Sequence, residues 1–206
     1  RWVTAQTDRA FNWALLEALT EGRWAVPGAG TRRIPEAAAT LDFFGVNFYG
    51  RQFIRWIPAP GSWPGSSCDL GHHPREVTER TSFGWDVHPP SFFELLSRIG
   101  RMGRPILVTE NGTYMTDDAR RWDFIARHVQ AMARAMQAGA RMLGYCYWSL
   151  LDNFEWADGF APRFGLVEVD YATQRRTVRE SGRRYAELCR ANRVEIGTAT
   201  NLRMGG

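Results

Sequence analysis

Pro105-Ile106-Leu107-Val108-Thr109-Glu110-Asn111-Gly112 is the stretch on which the fold turns. Its apolar residues run together instead of alternating, the pattern of a strand covered on both faces, as in parallel α/β sheets. Asn-Gly then begins a tight turn, so the Glu110 carboxylate stands at the strand's carboxyl end. Two further segments read as buried strands in the same way, Leu41–Tyr49 and Met142–Trp148.

Helices are expected between and around these strands. Thr7 is placed to cap one whose apolar positions are Phe11, Ala14, Leu15, Ala18 and Leu19, with Gly22 at its end. Ser91 and Glu94 form a capping box for a short helix through Phe92, Leu95, Leu96 and Ile99, closed by Gly100. Between Asp118 and Gly139, Trp122, Ile125, Val129, Met132 and Met136 recur at helical spacing while Arg127, Gln130 and Arg134 face outward. Arg179–Ala191 reads as a closing helix after a polar and aromatic loop that runs to about Thr177. The long Gly-, Pro- and Ser-rich connection from Gly50 to Pro90 holds an alternating stretch, Gln52–Ile57, that suits a small hairpin arm. Strand, loop and helix alternate, which predicts right-handed βαβ units and a parallel sheet in one α/β unit over residues 1–206. Three strands cannot close a barrel, and two sheet edges need covering, so a further portion is expected.

Composition narrows the class. With 44% hydrophobic residues, 13% aromatic residues and nine Trp, the 206-residue chain is globular, not disordered. Its apolar runs fall far short of the roughly 20 residues of a membrane helix. The opening Arg1-Trp2-Val3-Thr4 has neither an initiator Met nor a signal-peptide layout, which suggests an upstream portion. Cys68, Cys146 and Cys189 form no CxxC pair and His is scarce, so neither a disulfide framework nor a zinc site is expected and a cytoplasmic location fits. All 26 basic residues are Arg, scattered over a chain of formal charge +4, and no nucleic-acid partner is expected.

Functional groups of parallel α/β folds collect at strand carboxyl ends, here Asn47-Phe48-Tyr49, Thr109–Gly112 and Tyr147-Trp148-Ser149. A carboxylate such as Glu110 in that place can attack an electrophilic carbon or take a proton; alone, it equally suits a solvated strand end. The string Trp148-Ser149-Leu150-Leu151-Asp152-Asn153-Phe154-Glu155-Trp156 adds two indoles and a carboxylate in one loop. Aromatic faces stack on the C–H face of a pyranose while a carboxylate and an indole N–H fix its hydroxyls. Taken singly, the same residues suit core packing and solvation.

Together these strings resemble glycoside hydrolase family 1, the β-glucosidase and β-galactosidase family with a (β/α)8 barrel. The likeness begins at Leu41–Tyr49 and takes in Gly84-Trp85-Asp86-Val87, Pro105–Gly112 and Gly144–Trp156. It continues through Arg163–Val167 and Thr173–Thr177 to Ser181 and Tyr185. The resemblance implies the C-terminal portion of a TIM barrel, about three parallel strands with flanking helices. It implies Glu110 as the nucleophile of a retaining mechanism, Tyr49 as the residue that orients it, and Asn47 beside the sugar's 2-position. It further implies Trp148 as the platform under the glycone, Glu155 and Trp156 as its outer grip, and Phe164 as an aromatic wall. Glu155 argues for an unphosphorylated β-glycoside, since it would repel a phosphate. No cofactor is implied.

The departures are specific. The family's acid/base glutamate lies in an Asn-Glu-Pro motif that occurs nowhere in this chain, and His88-Pro89-Pro90 replaces a Tyr-Pro-Glu. Neither Glu155 nor Asp152, which looks structural, suits the role of the acid. The expectation is a β-glycosidase portion completed by an N-terminal barrel portion or by self-association. A non-catalytic sugar-binding module and a structural fragment that needs a partner are the alternatives.

Overall fold

A computed structural model describes residues 2–38, 40–56, 65–67 and 73–194. The chain opens with α1 (Trp2–Asp8), a π-helical turn (Arg9–Trp13) and α2 (Ala14–Glu21), ended by Gly22 at φ 63°. This corrects the first helix. It is under way by Trp2, before Thr7, and the π turn shifts its phase so that Trp13, Ala14, Glu17 and Ala18 are buried while Phe11 and Leu15 are exposed. An antiparallel hairpin of β1 (Arg23–Val26) and β2 (Gly30–Arg33) leads to β3 (Phe44–Phe48). The small arm then forms as β4 (Ile54–Trp56) paired with β5 (Gly65–Ser67); Ile57 and Cys68 lie outside the described residues.

The second half follows the expected alternation: α3 (Pro89–Gly100), β6 (Ile106–Gly112), α4 (Asp118–Gln137) and β7 (Met142–Trp148). A hairpin of β8 (Val167–Val169) and β9 (Arg176–Val178) precedes α5 (Glu180–Ala191), within what reads as loop in the sequence. The cap of α3 is His88, whose Nδ1 accepts from the Ser91 N–H at 3.1 Å, so the capping box expected at Ser91 and Glu94 does not open this helix.

β3, β6 and β7 form one parallel sheet with β6 in the middle. Phe44, Val46, Phe48, Ile106 and Val108 pack on one face against Phe92, Leu96 and Ile99 of α3 and Ala131 and Ala135 of α4. Tyr147, Phe124, Ile125 and Val129 continue the core, with Leu166 and Met115 beside them. Each such side chain, fully buried, contributes about 1.5–3 kcal/mol. Met136, expected inside, is exposed at the end of α4. The opposite face carries Gly45, Asn47 and Thr109 in the open, and β3 and β7 have no further strand partner among the described residues.

His128 lies between Phe48, Phe92 and Phe124 and is 1% exposed. Burial, helped by Arg127 and His88 and opposed by its bond to the Phe124 carbonyl, lowers its pKa from 6.5 to about 4. The unfolded chain therefore binds this proton first as pH falls. Its contribution is intact above pH 6.5 and is lost progressively towards pH 4. Thermal unfolding across that window should show a loss of about 3 kcal/mol that His128→Phe reduces. A pH dependence identical in the two proteins would contradict the neutral buried imidazole.

Candidate active site

The centre of the site is an irregularity in β6. Val46 pairs with Val108 and Asn47 with Glu110, while on the other side Val108 pairs with Tyr145 and Asn111 with Tyr147. β6 thus carries one residue more than either neighbour at Thr109 and Glu110, a bulge of the kind that re-aims side chains beside functional sites. Thr109 and Glu110 both reach the open side. The Thr109 hydroxyl donates to Asn47 Oδ1 at 2.6 Å, and the Tyr49 hydroxyl donates to Glu110 Oε2 at 2.7 Å.

Asn111 turns the other way and is fully buried. Its Nδ2 donates to the Phe48 carbonyl at 2.7 Å, and its Oδ1 accepts from the Tyr145 hydroxyl at 2.7 Å. One amide therefore ties the middle strand to both neighbours one residue beyond Glu110. Gly112 follows because the backbone leaves no room: a Cβ there would strike the Trp148 carbonyl oxygen.

Tyr49 is held from behind. Its ring meets the edge of Trp85 at 5.6 Å, and Trp85, Phe83, Tyr114 and Phe164 form a contiguous aromatic cluster. Gly50, at φ 144°, lets the chain pass the Asp86 carbonyl, and Arg51 Nε pairs with Asp86 at 2.6 Å. Burial and the adjacent Glu110, with Glu155 further off, push the Tyr49 hydroxyl well above its ordinary pKa, so it remains a donor.

The loop after β7 supplies the rest. The Trp148–Ser149 peptide is cis, and Trp148 is half-buried at the strand end. Asp152, whose side chain is 0% exposed, takes both Nη1 and Nη2 of Arg179, at 3.0 and 2.9 Å, and the N–H groups of Gly165 and Val169. This buried pair anchors the segment that presents Glu155 and Trp156. Glu155 is partly buried, and its pKa is raised by desolvation, by Asp158 and by Glu110. Trp156, at φ 42°, is 82% exposed.

Asn47, Tyr49, Glu110 and Trp148 therefore stand at the ends of three adjacent strands, and Glu155 lies within electrostatic reach of Glu110. Phe164 is 3% exposed, with its ring among Phe83, Trp85 and Tyr114, so it buttresses the site from within. Sequence reasoning placed Thr109 and Asn111 at a functional strand end but gave them no role, and it did not single out Phe83; their parts depend on the bulge and on loop closure. Among the described residues, no three His, Cys, Asp or Glu side chains are grouped to hold a metal ion.

Residues 23–194 match the model of glycosyl hydrolase family 1, and the chain belongs to that family. It is 34% identical over 172 residues to beta-glucosidase A of Thermotoga maritima, covering 78% of this chain and 37% of that protein. It is 31% identical over 193 residues to a beta-galactosidase of Sulfolobus acidocaldarius, covering 91% of this chain and 38% of that one. A beta-glycosidase from Pyrococcus horikoshii superposes with a TM-score of 0.82 at 36% identity, over 95% of this chain and 44% of that chain. The family 1 b-glucosidase of Thermotoga maritima gives 0.78 at 28% identity, over 94% and 47%. The chain thus spans less than half the length of these relatives. Its three parallel strands and helices are a portion of their (β/α)8 barrel.

Breaking one half of a buried ion pair costs about 3–5 kcal/mol. Asp152→Ala should lower thermal stability by an amount of that order and expose residues 149–164 to proteolysis, since the half-buried Arg179 charge then keeps only its bond to the Gly165 carbonyl. A loss below about 1 kcal/mol, the range of exposed pairs, would show that this loop is held by something else.

Proposed function

We propose that this chain carries the nucleophile half of a retaining β-glycosidase acting on unphosphorylated β-glycosides. The observation that carries the proposal is the 2.7 Å bond from the Tyr49 hydroxyl to Glu110, placed by the bulge at the open end of the middle strand. Membership of family 1 supports the same reading. One oxygen of Glu110 is fixed by that bond, which orients the other to attack the anomeric carbon. The C–O bond to the leaving group breaks as the covalent glycosyl ester forms, and water later releases the sugar with net retention.

The leaving oxygen needs a proton, and the chain holds no Asn-Glu-Pro string to supply the family's acid. Glu155 belongs to the sugar grip in this scheme, with Trp148 below the ring and Trp156 beside it. Activity therefore requires the N-terminal portion of a barrel, whether on the same polypeptide or as a separate chain. The exposed thiols of Cys146 and Cys189, both free, are compatible with the cytoplasmic location we propose.

The two halves of the mechanism separate experimentally. The chain alone should not hydrolyse cellobiose, whose poor leaving group depends on the acid. Combined with the N-terminal portion of a family 1 enzyme, it should be labelled by a dinitrophenyl 2-deoxy-2-fluoro glycoside at Glu110, as read by mass spectrometry, and Glu110→Gln should not. Labelling of another carboxylate would overturn the assignment. Glycan binding by the completed complex without any labelling would favour the non-catalytic sugar-binding module.

Glu155 has its own test in the same complex. Glu155→Ala removes charged hydrogen bonds to outer sugar hydroxyls and should cost on the order of 1.5–3 kcal/mol in transition-state binding of gluco substrates, less for those deoxygenated at the contacted positions. An unchanged ranking of gluco, galacto and deoxy substrates would remove Glu155 from the glycone site.

A further inference from the structure

The two residues that the bulge brings to the open side of β6 each reach one residue of β3. Glu110 accepts from the Tyr49 hydroxyl, and the Thr109 hydroxyl donates to Asn47 Oδ1 at 2.6 Å. Thr109 and Asn47 are both exposed, so their bond joins no part of the core, and a neutral bond in that setting adds little to stability. Its consequence lies in what it does to the Asn47 amide.

The length of the bond identifies its atoms. A separation of 2.6 Å is ordinary for O–H···O and short for N–H···O, so the hydroxyl meets the amide oxygen and not the nitrogen. Oδ1 is thereby occupied, and Nδ2 lies on the far side of the amide from Thr109 with no bond among the described residues. Asn47 stands opposite Glu110 in the β3–β6 register, and Tyr49, two residues further along β3, is on the same side. The amide therefore offers two N–H donors, and no acceptor, beside the carboxylate that Tyr49 orients.

When a carboxylate attacks an anomeric carbon, the sugar oxygens nearest that carbon, apart from the leaving one, are the ring oxygen and the 2-hydroxyl. The ring oxygen gains positive charge in the oxocarbenium-like transition state and repels an N–H donor; the 2-hydroxyl accepts one, in a bond that strengthens as the transition state forms. We infer, resting on the glycosidase reading proposed above, that Thr109 is a positioning residue: by occupying Oδ1 it turns the Asn47 donors to the 2-hydroxyl and so sets a preference for glycosides oxygenated at that position. Without the threonine hydroxyl the amide turns about its Cβ–Cγ bond, a torsion with broad two-fold minima, and presents oxygen as readily as nitrogen.

The test compares nitrophenyl β-glucoside with its 2-deoxy counterpart in the complex completed by the N-terminal portion of a family 1 enzyme. The activated phenol makes both substrates least dependent on the acid. Thr109→Val keeps the shape of the side chain and removes its hydroxyl, so the ratio of kcat/KM for the 2-hydroxy over the 2-deoxy substrate should fall about tenfold. Thr109→Ala, a second side chain without the hydroxyl, should behave alike, and Thr109→Ser, which keeps it, should return the ratio most of the way. A loss shared equally by the two substrates would mark a merely structural role and overturn the inference, as would an unchanged ratio in Thr109→Val and Thr109→Ala or a Thr109→Ser no better than they are. Labelling of Glu110 by the fluoro glycoside separates the two readings. An unlabelled Glu110 in the unaltered complex overturns the proposed function and this inference with it, whereas a labelled Glu110 with a ratio indifferent to Thr109 overturns this inference alone.

Discussion

β6 has one residue too many for its neighbours, and the candidate site depends on how that surplus is accommodated. A regular parallel strand would send Thr109 and Glu110 to opposite faces, one into the core. The bulge puts both on the open side, where Thr109 holds the Asn47 amide and Glu110 meets the Tyr49 hydroxyl. Asn111 makes the irregularity affordable. Its buried amide bonds to the Phe48 carbonyl and to the Tyr145 hydroxyl in place of the lost ladder contacts.

The surroundings hold this geometry from three directions. Trp85 and the Phe83–Tyr114–Phe164 cluster pack behind Tyr49, so its ring has few alternative positions. The Asp152–Arg179 pair fixes the loop after β7, at the cost of two buried charges that stay satisfied only together. The electrostatics then favour division of labour. Glu155 has its pKa raised by burial and neighbouring acids, and Tyr49 remains a donor to Glu110.

The sheet was legible because Leu41–Tyr49, Pro105–Thr109 and Met142–Trp148 are apolar runs, but the cover they predict on both faces is present on one face only, the other being open at Gly45, Asn47 and Thr109. α4 was legible for the same kind of reason, a sustained helical period. The hairpins were not. β2 is Gly-Thr-Arg-Arg, exposed along its whole length, and β8 and β9 have three residues each, so neither shows an alternating face. The π turn at Arg9–Trp13 re-phased the first helix, and His88 took over a capping task that the sequence assigned to Ser91. At the site, residue identities were readable from motifs, whereas the bulge, the Asn111 tie and the inward turn of Phe164 arise from pairing between distant strands and loops, which no local pattern encodes.

The pairing of Tyr49 with Glu110 is the claim on which the mechanism stands, and the ionisation of Tyr49 reports it directly. Carbon-13 NMR of labelled tyrosine Cζ, followed through the ordinary tyrosine range near pH about 10, separates the residues by environment. Tyr49 should remain protonated where exposed tyrosines have ionised, and in Glu110→Gln it should ionise at distinctly lower pH, since burial remains but the carboxylate's field is gone. A Tyr49 that titrates identically in the two proteins would contradict the pairing.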